Sequence, residues 1–436
     1  MKKIIAIVMA LLLCLSLVAC VQDPDVTTAT GEINATTSSD PAATTTNPIV
    51  LDIDLTDKWT QADVEYNGTA AFSEAGYYYA ENGILHFMDT ENGISVVLCH
   101  KAGCKHSKDE CDAYLGGATQ IMFYSDGYLY YDQKVQDDPN SVHLFRRKAD
   151  GTAKEKFAVL GQDYISPKVS IGIGEYLATD GAVYFTAYTM ETVEVKPGHF
   201  TTMERDGILL RLDLDTGKQE EILRKSAVLI RVFGARQDAV LFYTQDTLPA
   251  EEIGESDYYE RIEKLPARLL VWSASADGCV TLFEKPNREC KWIVGLQGSK
   301  LYYTDDVKYY TYDLATEIHT ELAWTEYYEL VNENYLFDSD GDTPEDEVLN
   351  YAKFIDLRTG EFVPSAYDDA DMRIVNRTDR GCVIEINYYG EPIPMGSGSH
   401  TIPRLRQIVA YVAFDALEDG LQESDLLVIS DETFKD

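Results

Sequence analysis

Short runs of alternating aromatic and β-branched residues, separated by polar turns, recur along most of the chain, and helical spacing is nearly absent. Each run is followed by a turn dipeptide such as Asp-Gly, Asn-Gly or Thr-Gly and then by a second run. Alternation with a period of two predicts β-strands, and the glycine dipeptides predict tight turns between them. Seven copies of this theme occur: "AGYYYAENGILHFMDTENG", "DGYLYYDQ" with "HLFRRKADG", "DGAVYFTAYT" with "LLRLDLDTGK", "DAVLFYTQD" with "LLVWSASADG", "SKLYYTDD" with "KYYTYDLATE", "ENYLFDSD" with "YAKFIDLRTGE", and "GCVIEINYYG" with "IVAYVAFDALEDG".

The copies start roughly 35 to 60 residues apart, a period typical of a repeat architecture. A unit of this length with about four short strands matches one blade of a β-propeller. We therefore predict an all-β fold with a single propeller of seven blades. Six or eight blades, or a pair of β-sandwiches, are the alternatives. The segments "ADVEYNGTAAF" and "DLLVIS" near the two ends are strand-like and are candidates for a shared blade that closes the ring.

Two copies carry insertions. The fourth contains "TLPAEEIGESDYYERIEKLPAR", which predicts a surface excursion with one helical turn, and the third contains a long hairpin from Met190 to Asp206. Insertions into repeats commonly project from one rim and build the binding face. Tyr258 and Tyr259 are surrounded by charged and turn residues, so they are the candidate ligand contacts.

The N-terminus "MKKIIAIVMALLLCLSLVAC" has a basic start, a short apolar stretch and small residues before Cys20. This pattern resembles the lipobox of bacterial lipoproteins, which predicts a signal peptide at residues 1–19 and lipidation of Cys20. Residues 20–48 are rich in Thr, Ala, Ser and Pro and predict a flexible tether, and residues 49–436 form the predicted propeller domain. The resemblance implies an extracytoplasmic protein held on the cell membrane by its lipid.

The formal net charge is −37. Such an acidic chain has no broad basic face for nucleic-acid phosphates, so we expect no nucleic-acid partner. The membrane contact is expected through the lipid anchor instead.

The segment "LCHKAGCKHSKDECDAY", residues 98–114, concentrates cysteine and histidine; we call it the Cys/His clip. Cys99, Cys104, His106 and Cys111 have the spacing C-x4-C-x-H-x4-C. Four Cys and His ligands around a short loop predict a structural zinc site, and four protein ligands would leave no open position for catalysis. His100 either substitutes for His106 in this interpretation or takes no part in the site.

Disulfides are the competing interpretation of the cysteines. An exported protein meets an oxidising setting in many bacteria. Three cysteines in the clip would then leave one to pair elsewhere, for example with Cys382, and Cys279 and Cys290 are candidate partners across a predicted hairpin.

Sequence motifs for other metal, catalytic or nucleotide-binding sites are weak or missing. "DSDGDTPEDE" from Asp338 resembles a calcium loop but has Thr343 and Leu349 where an EF-hand needs Gly and Glu, so we expect no calcium site. "MGSGSH" lacks the order of a nucleophile elbow, and no phosphate-binding or dinucleotide motif is present.

The lipobox, the Thr-rich tether, the "DGxLYY" strands and the clip together resemble uncharacterised propeller lipoproteins of anaerobic gut Gram-positive bacteria. These are domains of unknown function, so the resemblance implies a location and no activity. We expect a surface binding module for an extracellular peptide, glycan or protein. The alternative is an extracellular carbohydrate-active hydrolase or lyase with carboxylates in the propeller funnel.

Overall fold

A computed structural model describes the chain from Trp59 to Phe434. The chain divides into units 1–48 and 49–436, and every described residue belongs to the second unit. Cys20, the signal peptide and the tether therefore lie outside the described residues. Within the second unit the gaps are 49–58, 62–69, 74, 107–110, 117–118, 136, 139–140, 167, 197–198, 250–251, 253–256, 277, 298, 306, 323–327, 333, 339–352, 357, 360, 368–369, 378–379, 391–392, 395–399, 402–403 and 435–436.

The described chain forms seven antiparallel blades of four strands each, which succeed one another along the sequence; a two-residue strand adds a fifth strand to the sheet of blade 4, and two further short strands form a separate two-stranded sheet between the second and third strands of blade 7. Blade 1 contains β2 (Ala70–Ser73), β3 (Gly76–Glu81), β4 (Ile84–Asp89) and β5 (Ile94–Val97); blade 2 contains β6 (Met122–Ser125), β7 (Tyr128–Gln133), β8 (Val142–Lys148) and β9 (Glu155–Leu160); blade 3 contains β10 (Val169–Thr179), β11 (Ala182–Lys196), β12 (His199–Asp213) and β13 (Gln219–Ser226).

The remaining four blades follow the same order. Blade 4 contains β14 (Val228–Arg236), β15 (Ala239–Asp246), β16 (Pro266–Ser273) and β17 (Cys279–Pro286); blade 5 contains β18 (Trp292–Gln297), β19 (Lys300–Thr304), β20 (Tyr309–Asp313) and β21 (His319–Glu321); blade 6 contains β22 (Tyr328–Leu330), β23 (Tyr335–Asp338), β24 (Lys353–Asp356) and β25 (Glu361–Phe362); blade 7 contains β26 (Asp371–Arg377), β27 (Gly381–Tyr389), β30 (Arg404–Ala413) and β31 (Leu427–Thr433).

Four short elements complete the description. A two-residue strand, β1 (Thr60–Gln61), pairs with β14, and a small hairpin of β28 (Ile393–Pro394) and β29 (His400–Thr401) extends blade 7. The one α-helix among the described residues is α1 (Tyr258–Glu263). No helix in this part of the chain is long and apolar enough to cross a membrane. Turns of 3₁₀-helix cover Gln162–Tyr164, Asn287–Glu289, Phe414–Asp419 and Glu423–Asp425.

The prediction of a seven-bladed propeller is confirmed. Each copy of the sequence theme forms the second and third strands of one blade. Successive side chains of these strands point to the two neighbouring blades, so these strands carry the clearest sequence pattern. The core lies between the blades. Seven hydrophobic clusters fill the seven junctions, including the junction between blade 7 and blade 1 that closes the ring.

The ring closes without a shared blade. β2 is the first strand of blade 1 and β31 is the last strand of blade 7, so the two ends belong to different sheets. Tyr77 and Met88 of blade 1 instead pack against Val383 and Tyr411 of blade 7. The proposed pairing of the chain ends is wrong because each end already belongs to a complete four-stranded blade.

The two faces of the ring differ. Neighbouring strands are antiparallel. In every blade the turn between the first and second strands therefore emerges on one face of the ring, which we call the turn face. The connection between the second and third strands emerges on the opposite face, which we call the hairpin face. The long hairpin of β11 and β12, helix α1, and the hairpin of β28 and β29 are all second-to-third connections. The predicted insertions therefore project from a single face.

Candidate metal centre and ligand face

The four predicted zinc ligands of the Cys/His clip come together. One ligand atom from each of Cys99, Cys104, His106 and Cys111 lies within 4.8 Å of all the others. The Cys111 Sγ atom is 3.5 Å from His106 Nδ1. A tetrahedron with Zn–S of about 2.3 Å and Zn–N of about 2.05 Å has an S···N edge of about 3.6 Å. The cluster could therefore hold a zinc ion with little movement.

The backbone of the clip turns its N–H groups toward the sulfur atoms. The N–H of Lys101 faces Cys99, the N–H of His106 lies 3.4 Å from the Cys104 sulfur, and the N–H of Ala113 faces Cys111. Each donor is thus two residues after its cysteine. Such N–H···S hydrogen bonds stabilise thiolates, which are the metal-binding form of cysteine.

The clip has an uneven electrostatic environment. Burial alone would raise the pKa of Cys99, but hydrogen bonds from the backbone of Lys101 and Asp112 and from the neighbouring thiols lower it to about 6. Burial raises the pKa of Cys111 to about 11, and the nearby Cys99 and Cys104 sulfurs add to the effect. Three sulfurs this close together could all be thiolates only with a cation between them.

A buried arginine connects the clip to blade 2. The Arg147 side chain on β8 is completely buried, and it donates to the carbonyl oxygens of Asp112, at 2.6 Å, and Leu98, at 3.4 Å. It also donates to the Tyr131 hydroxyl at 3.2 Å. None of these acceptors is a carboxylate. A zinc ion with three thiolates and a neutral histidine carries one net negative charge, which would balance Arg147.

His100 is separate from the cluster. Its Nε2 atom contacts the carbonyl oxygen of Asp150 in the β8–β9 turn, and it is absent from the group of converging ligand atoms. The turn approaches closely because Gly151 has φ of 86°, and a Cβ there would lie 2.7 Å from Leu98 Cγ. The substitution of His100 for His106 is therefore not supported, and His100 packs the clip against blade 2.

The structure does not pair Cys279 with Cys290, and both residues are free thiols. Cys279 begins β17 and packs against the core of blades 3 and 4, whereas Cys290 follows the 3₁₀ turn Asn287–Glu289 and lies in the core of blades 4 and 5. Strand β17 and this turn occupy the chain between them, in place of the expected hairpin. Burial raises the pKa of Cys279 to about 11 and that of Cys290 to about 12, so both thiols stay protonated at neutral pH.

The clip cysteines are likewise free thiols. Cys382, the proposed partner for a third clip cysteine, is buried in the core that blade 7 shares with blade 6. It faces away from the junction of blades 1 and 2 that contains the clip. The structure pairs none of the clip cysteines in a disulfide, whereas it brings all four predicted zinc ligands together.

The structure places Tyr258 and Tyr259 on helix α1, with ring centroids 5.4 Å apart. Tyr259 is 69% exposed and Tyr258 is half-buried. The buried Asn287 amide fixes the helix by donating to the carbonyl oxygens of Ile262 and Asp246, both at 2.9 Å. Phe200 near the tip of the β11–β12 hairpin is 65% exposed on the same face, and sequence reasoning missed it. Phe200 lies on β12, and only the structure shows that its side chain is exposed to solvent.

A carboxylate pair that sequence reasoning missed lies on blade 7. Arg373 donates to the buried Glu385 at 2.7 Å, and Asn387 donates to it at 3.0 Å. Burial would raise the pKa of Glu385, but these hydrogen bonds lower it below the ordinary value. Burial raises the pKa of the neighbouring Asp371, which accepts a hydrogen bond from the Tyr389 hydroxyl. Opposite shifts in two carboxyl groups are typical of acid–base sites, but here protein donors occupy the ionised member.

The described side chains of the first strands do not supply the predicted funnel pair of carboxylates. The acidic residues among them are Glu175 on β10 and Asp371 on β26, and they belong to blades 3 and 7, which are not neighbours. Glu175 is paired with Arg231 at 2.6 Å. The acidic loop after Asp338 lies outside the described residues, so its calcium chemistry is untested.

No protein-family model matches the sequence, and no curated protein matches it. Among solved structures, the fold is similar to puromycin hydrolase (TM-score 0.50, 13% identity, covering 89% of this chain and 57% of that chain), to a puromycin-hydrolyzing peptidase of Mycobacterium tuberculosis (0.48, 12%, 84% and 54%) and to oligogalacturonate lyase in complex with manganese (0.42, 13%, 80% and 86%). This chain thus spans only 57% of the hydrolase. At such identities the likeness shows the propeller fold alone.

Proposed function

We propose that the protein is a binding module that a lipid on Cys20 holds outside the cell membrane, with the hairpin face as its ligand surface. One observation carries the proposal: the elongated connections of blades 3, 4 and 7 all emerge on the hairpin face. Two of them present exposed aromatic side chains, Phe200 and Tyr259. Aromatic side chains on fixed supports are typical anchors for peptides and sugar rings.

The alternative as a carbohydrate-active enzyme receives less support. The predicted form of such an enzyme, with acid and base carboxylates in the funnel, needs two carboxyl groups that flank a bond of the substrate, as most glycoside hydrolases have. The axial carboxylates with described side chains are on separate blades, and the blade 7 pair is engaged by Arg373, Asn387 and Tyr389. We therefore place ligand recognition, and no chemistry, at the hairpin face.

The Cys/His clip belongs to this proposal as a structural zinc site. The four protein ligands complete a tetrahedron, so the metal would have no open position for a substrate. Its role is to hold the chain between blades 1 and 2, where Leu85 donates to the carbonyl oxygen of Ala113 and Leu115 donates to that of Gly83, both at 2.9 Å.

The experiment measures binding of the full-length lipoprotein in vesicles to a panel of cell-wall fragments, neutral and acidic glycans and peptides. A variant with Phe200→Ala and Tyr259→Ala should bind its ligand at least about 10-fold more weakly, since two anchors of about 1 kcal/mol or more are lost. Phe362→Ala, which removes an exposed aromatic ring from the outer strand of blade 6, should bind as the wild type does.

Equal binding by the double variant would reject the hairpin face as the ligand surface. Turnover of a panel member would favour the enzyme. A Cys20→Ala variant checks the anchor separately, because it should leave the membrane fraction and appear in the medium.

A further inference from the structure

The side of blade 7 that faces blade 1 changes from apolar to polar along its strands. Near the turn face, Val383 and Tyr411 pack against Tyr77 and Met88 of blade 1. Alternate residues of a strand, and residues opposite each other on paired strands, lie on the same side of a sheet. By this register, the hairpin-face half of the same side contains Asp371 and Arg373 on β26, Glu385, Asn387 and Tyr389 on β27, and Gln407 and Arg404 on β30.

A buried glutamate is at the centre of this polar group. The Glu385 side chain is 7% exposed, and Arg373 on the neighbouring strand donates to one of its carboxylate oxygens at 2.7 Å. The Arg404 guanidinium approaches the other oxygen to 3.9 Å, and the buried Asn387 amide donates to that oxygen at 3.0 Å. One carboxylate thus holds two arginines that come from the first and third strands of the blade.

The arginines are on the solvent side of the group. The Arg373 side chain is 49% exposed and that of Arg404 is 39% exposed. Tyr389 is 37% exposed, and its hydroxyl donates to Asp371 at 3.3 Å. The hairpin face of blade 7 therefore presents two guanidinium groups and an aromatic ring above a buried carboxylate. This local arrangement contrasts with the net charge of −37 for the whole chain.

A structural role alone does not account for the buried Glu385. The desolvation of a buried ion pair offsets much of its attraction, so apolar residues of similar volume are often as stabilising or more so. Blade 7 places such residues, Val383 and Tyr411, nearer the turn face on the same side. Because the charged groups are confined to the hairpin-face end, ligand binding is a better explanation for them than packing.

We propose that Arg373 and Arg404 bind the carboxylate of an acidic sugar, such as a uronic acid, and that Tyr389 packs against the sugar ring. A guanidinium has paired N–H donors that match the two oxygens of a carboxylate. Aromatic rings pack against the apolar face of a sugar, and the guanidinium, amide and carboxylate groups beside Tyr389 can bind hydroxyl groups. These groups suit a sugar better than the apolar side chains of a peptide.

Glu385 is a positioning residue in this site. It fixes the two guanidinium groups before the ligand arrives, so less conformational freedom is lost on binding. The inference rests on the proposed function, because it assigns a ligand class to the hairpin face.

The wild-type protein tests the ligand class. The full-length lipoprotein in vesicles is titrated with a hexuronic-acid oligosaccharide and with the same oligosaccharide after reduction of its carboxyl groups to alcohols. The acidic form should bind at least about 10-fold more tightly at low salt, and the difference should shrink as ionic strength rises. Equal binding of the two forms would overturn the site. Tighter binding of an acidic peptide of the same charge would overturn the sugar as its ligand.

The arginine is tested against a neighbour on the same strand. Arg404→Gln should remove most of the preference for the acidic form and leave binding of the reduced form unchanged, whereas Arg404→Lys should retain part of it. The matched control is Arg406→Gln. Arg406 pairs with Asp431 on the outer strand at 2.7 Å and lies over the Tyr388 ring, on the other side of the blade, so this variant should bind as the wild type does. Equal losses in the Arg404→Gln and Arg406→Gln variants would contradict the assignment.

The variant with Phe200→Ala and Tyr259→Ala separates this inference from the proposed function. If that variant binds more weakly while the acidic and reduced forms bind the wild type equally, the hairpin face is the ligand surface and the arginine site is wrong. If it binds as the wild type does while Arg404→Gln loses the acidic preference, blade 7 binds the acidic sugar and the two aromatic anchors of the proposed function are wrong.

Discussion

At the scale of single residues, the two histidines of the Cys/His clip separate metal binding from packing. His106 supplies a ring nitrogen to the cluster, whereas His100 contacts the β8–β9 turn. Both lie on exposed loop positions of the same segment. The spacing of the sequence places both near the cysteines and does not distinguish them, because the direction of a loop side chain depends on the backbone. His106 adopts φ of 53°, a conformation that no spacing rule predicts.

The histidine pair gives a matched test of the zinc site. Wild-type protein purified without chelator should contain about one equivalent of zinc. His106→Ala should lose the metal to a competing chelator at least about 10-fold more readily, because one of four ligands is gone, and His100→Ala should retain it. Metal analysis after dialysis against a graded chelator series measures both. Wild-type protein without metal, or equal losses in the two variants, would contradict the assignment.

Glu385 gives a residue-scale test in which pH is the variable. Its pKa is lowered from the ordinary 4.5 in the folded protein, so its stabilising contribution is present above that value and is lost as pH falls through the folded pKa. Glu385→Gln should lower the free energy of unfolding by about 1–2 kcal/mol at pH 7, because a buried charge-assisted hydrogen bond is lost. Denaturant titrations should show the difference shrinking below pH 4.5.

The control for Glu385 is Glu284, which also receives a hydrogen bond from an arginine on the neighbouring strand, at 2.6 Å, but is 55% exposed. Glu284→Gln should change the stability by less than about 1 kcal/mol, because water screens an exposed pair. A cost for Glu385→Gln that stays constant between pH 7 and pH 3 would show that lost packing, and not lost charge, causes it.

At the scale of elements, the strands and their turns were predictable and several connections were not. Short, nearly continuous runs of aromatic and β-branched residues identify β3, β7, β11, β15 and β19, because both sides of these strands are buried against neighbouring blades. β1 could not be predicted in this way, because two residues are too few to show a period and their partner strand, β14, lies more than 170 positions later in the chain. The expected hairpin between Cys279 and Cys290 is absent for a related reason: a single strand that ends in a turn and a short hairpin have similar sequence patterns when no turn dipeptide is present.

The junction of blade 2 with the clip predicts a coupling between Arg147 and the metal. Arg147→Met should lower the free energy of unfolding by about 3 kcal/mol in the zinc-loaded protein, because the carbonyl oxygens of Leu98 and Asp112 lose their buried donor. The loss should be smaller in zinc-free protein, where the negative charge that Arg147 balances is absent. Thermal or denaturant unfolding with and without chelator measures the difference.

The neighbouring arginine is the matched control. Arg146 is partly exposed and pairs with Glu155 at 2.6 Å, so Arg146→Met should cost less than about 1 kcal/mol, equally with and without zinc. An Arg147→Met loss that is the same in both metal states would leave the arginine a purely structural donor. Such a result would contradict the proposed charge balance between Arg147 and the zinc site, but it would not contradict the assignment of the four ligands.

At the scale of the whole molecule, the blades are held together by the hydrophobic cores at their junctions. The cluster between blades 4 and 5 has fifteen buried members among the described residues, and Leu241 is one of them. Because the ring is closed, each blade packs against two neighbours, and a loss of packing at one junction affects the whole ring.

Leu241→Ala gives a test at this scale. The substitution should lower the global free energy of unfolding by about 2–5 kcal/mol, because it removes a fully buried side chain from a dense core, and denaturant titration measures the loss. Hydrogen exchange under native conditions should then become faster throughout the ring. Faster exchange confined to blades 4 and 5 would contradict this expectation and would show that a single junction can open while the rest of the ring stays closed.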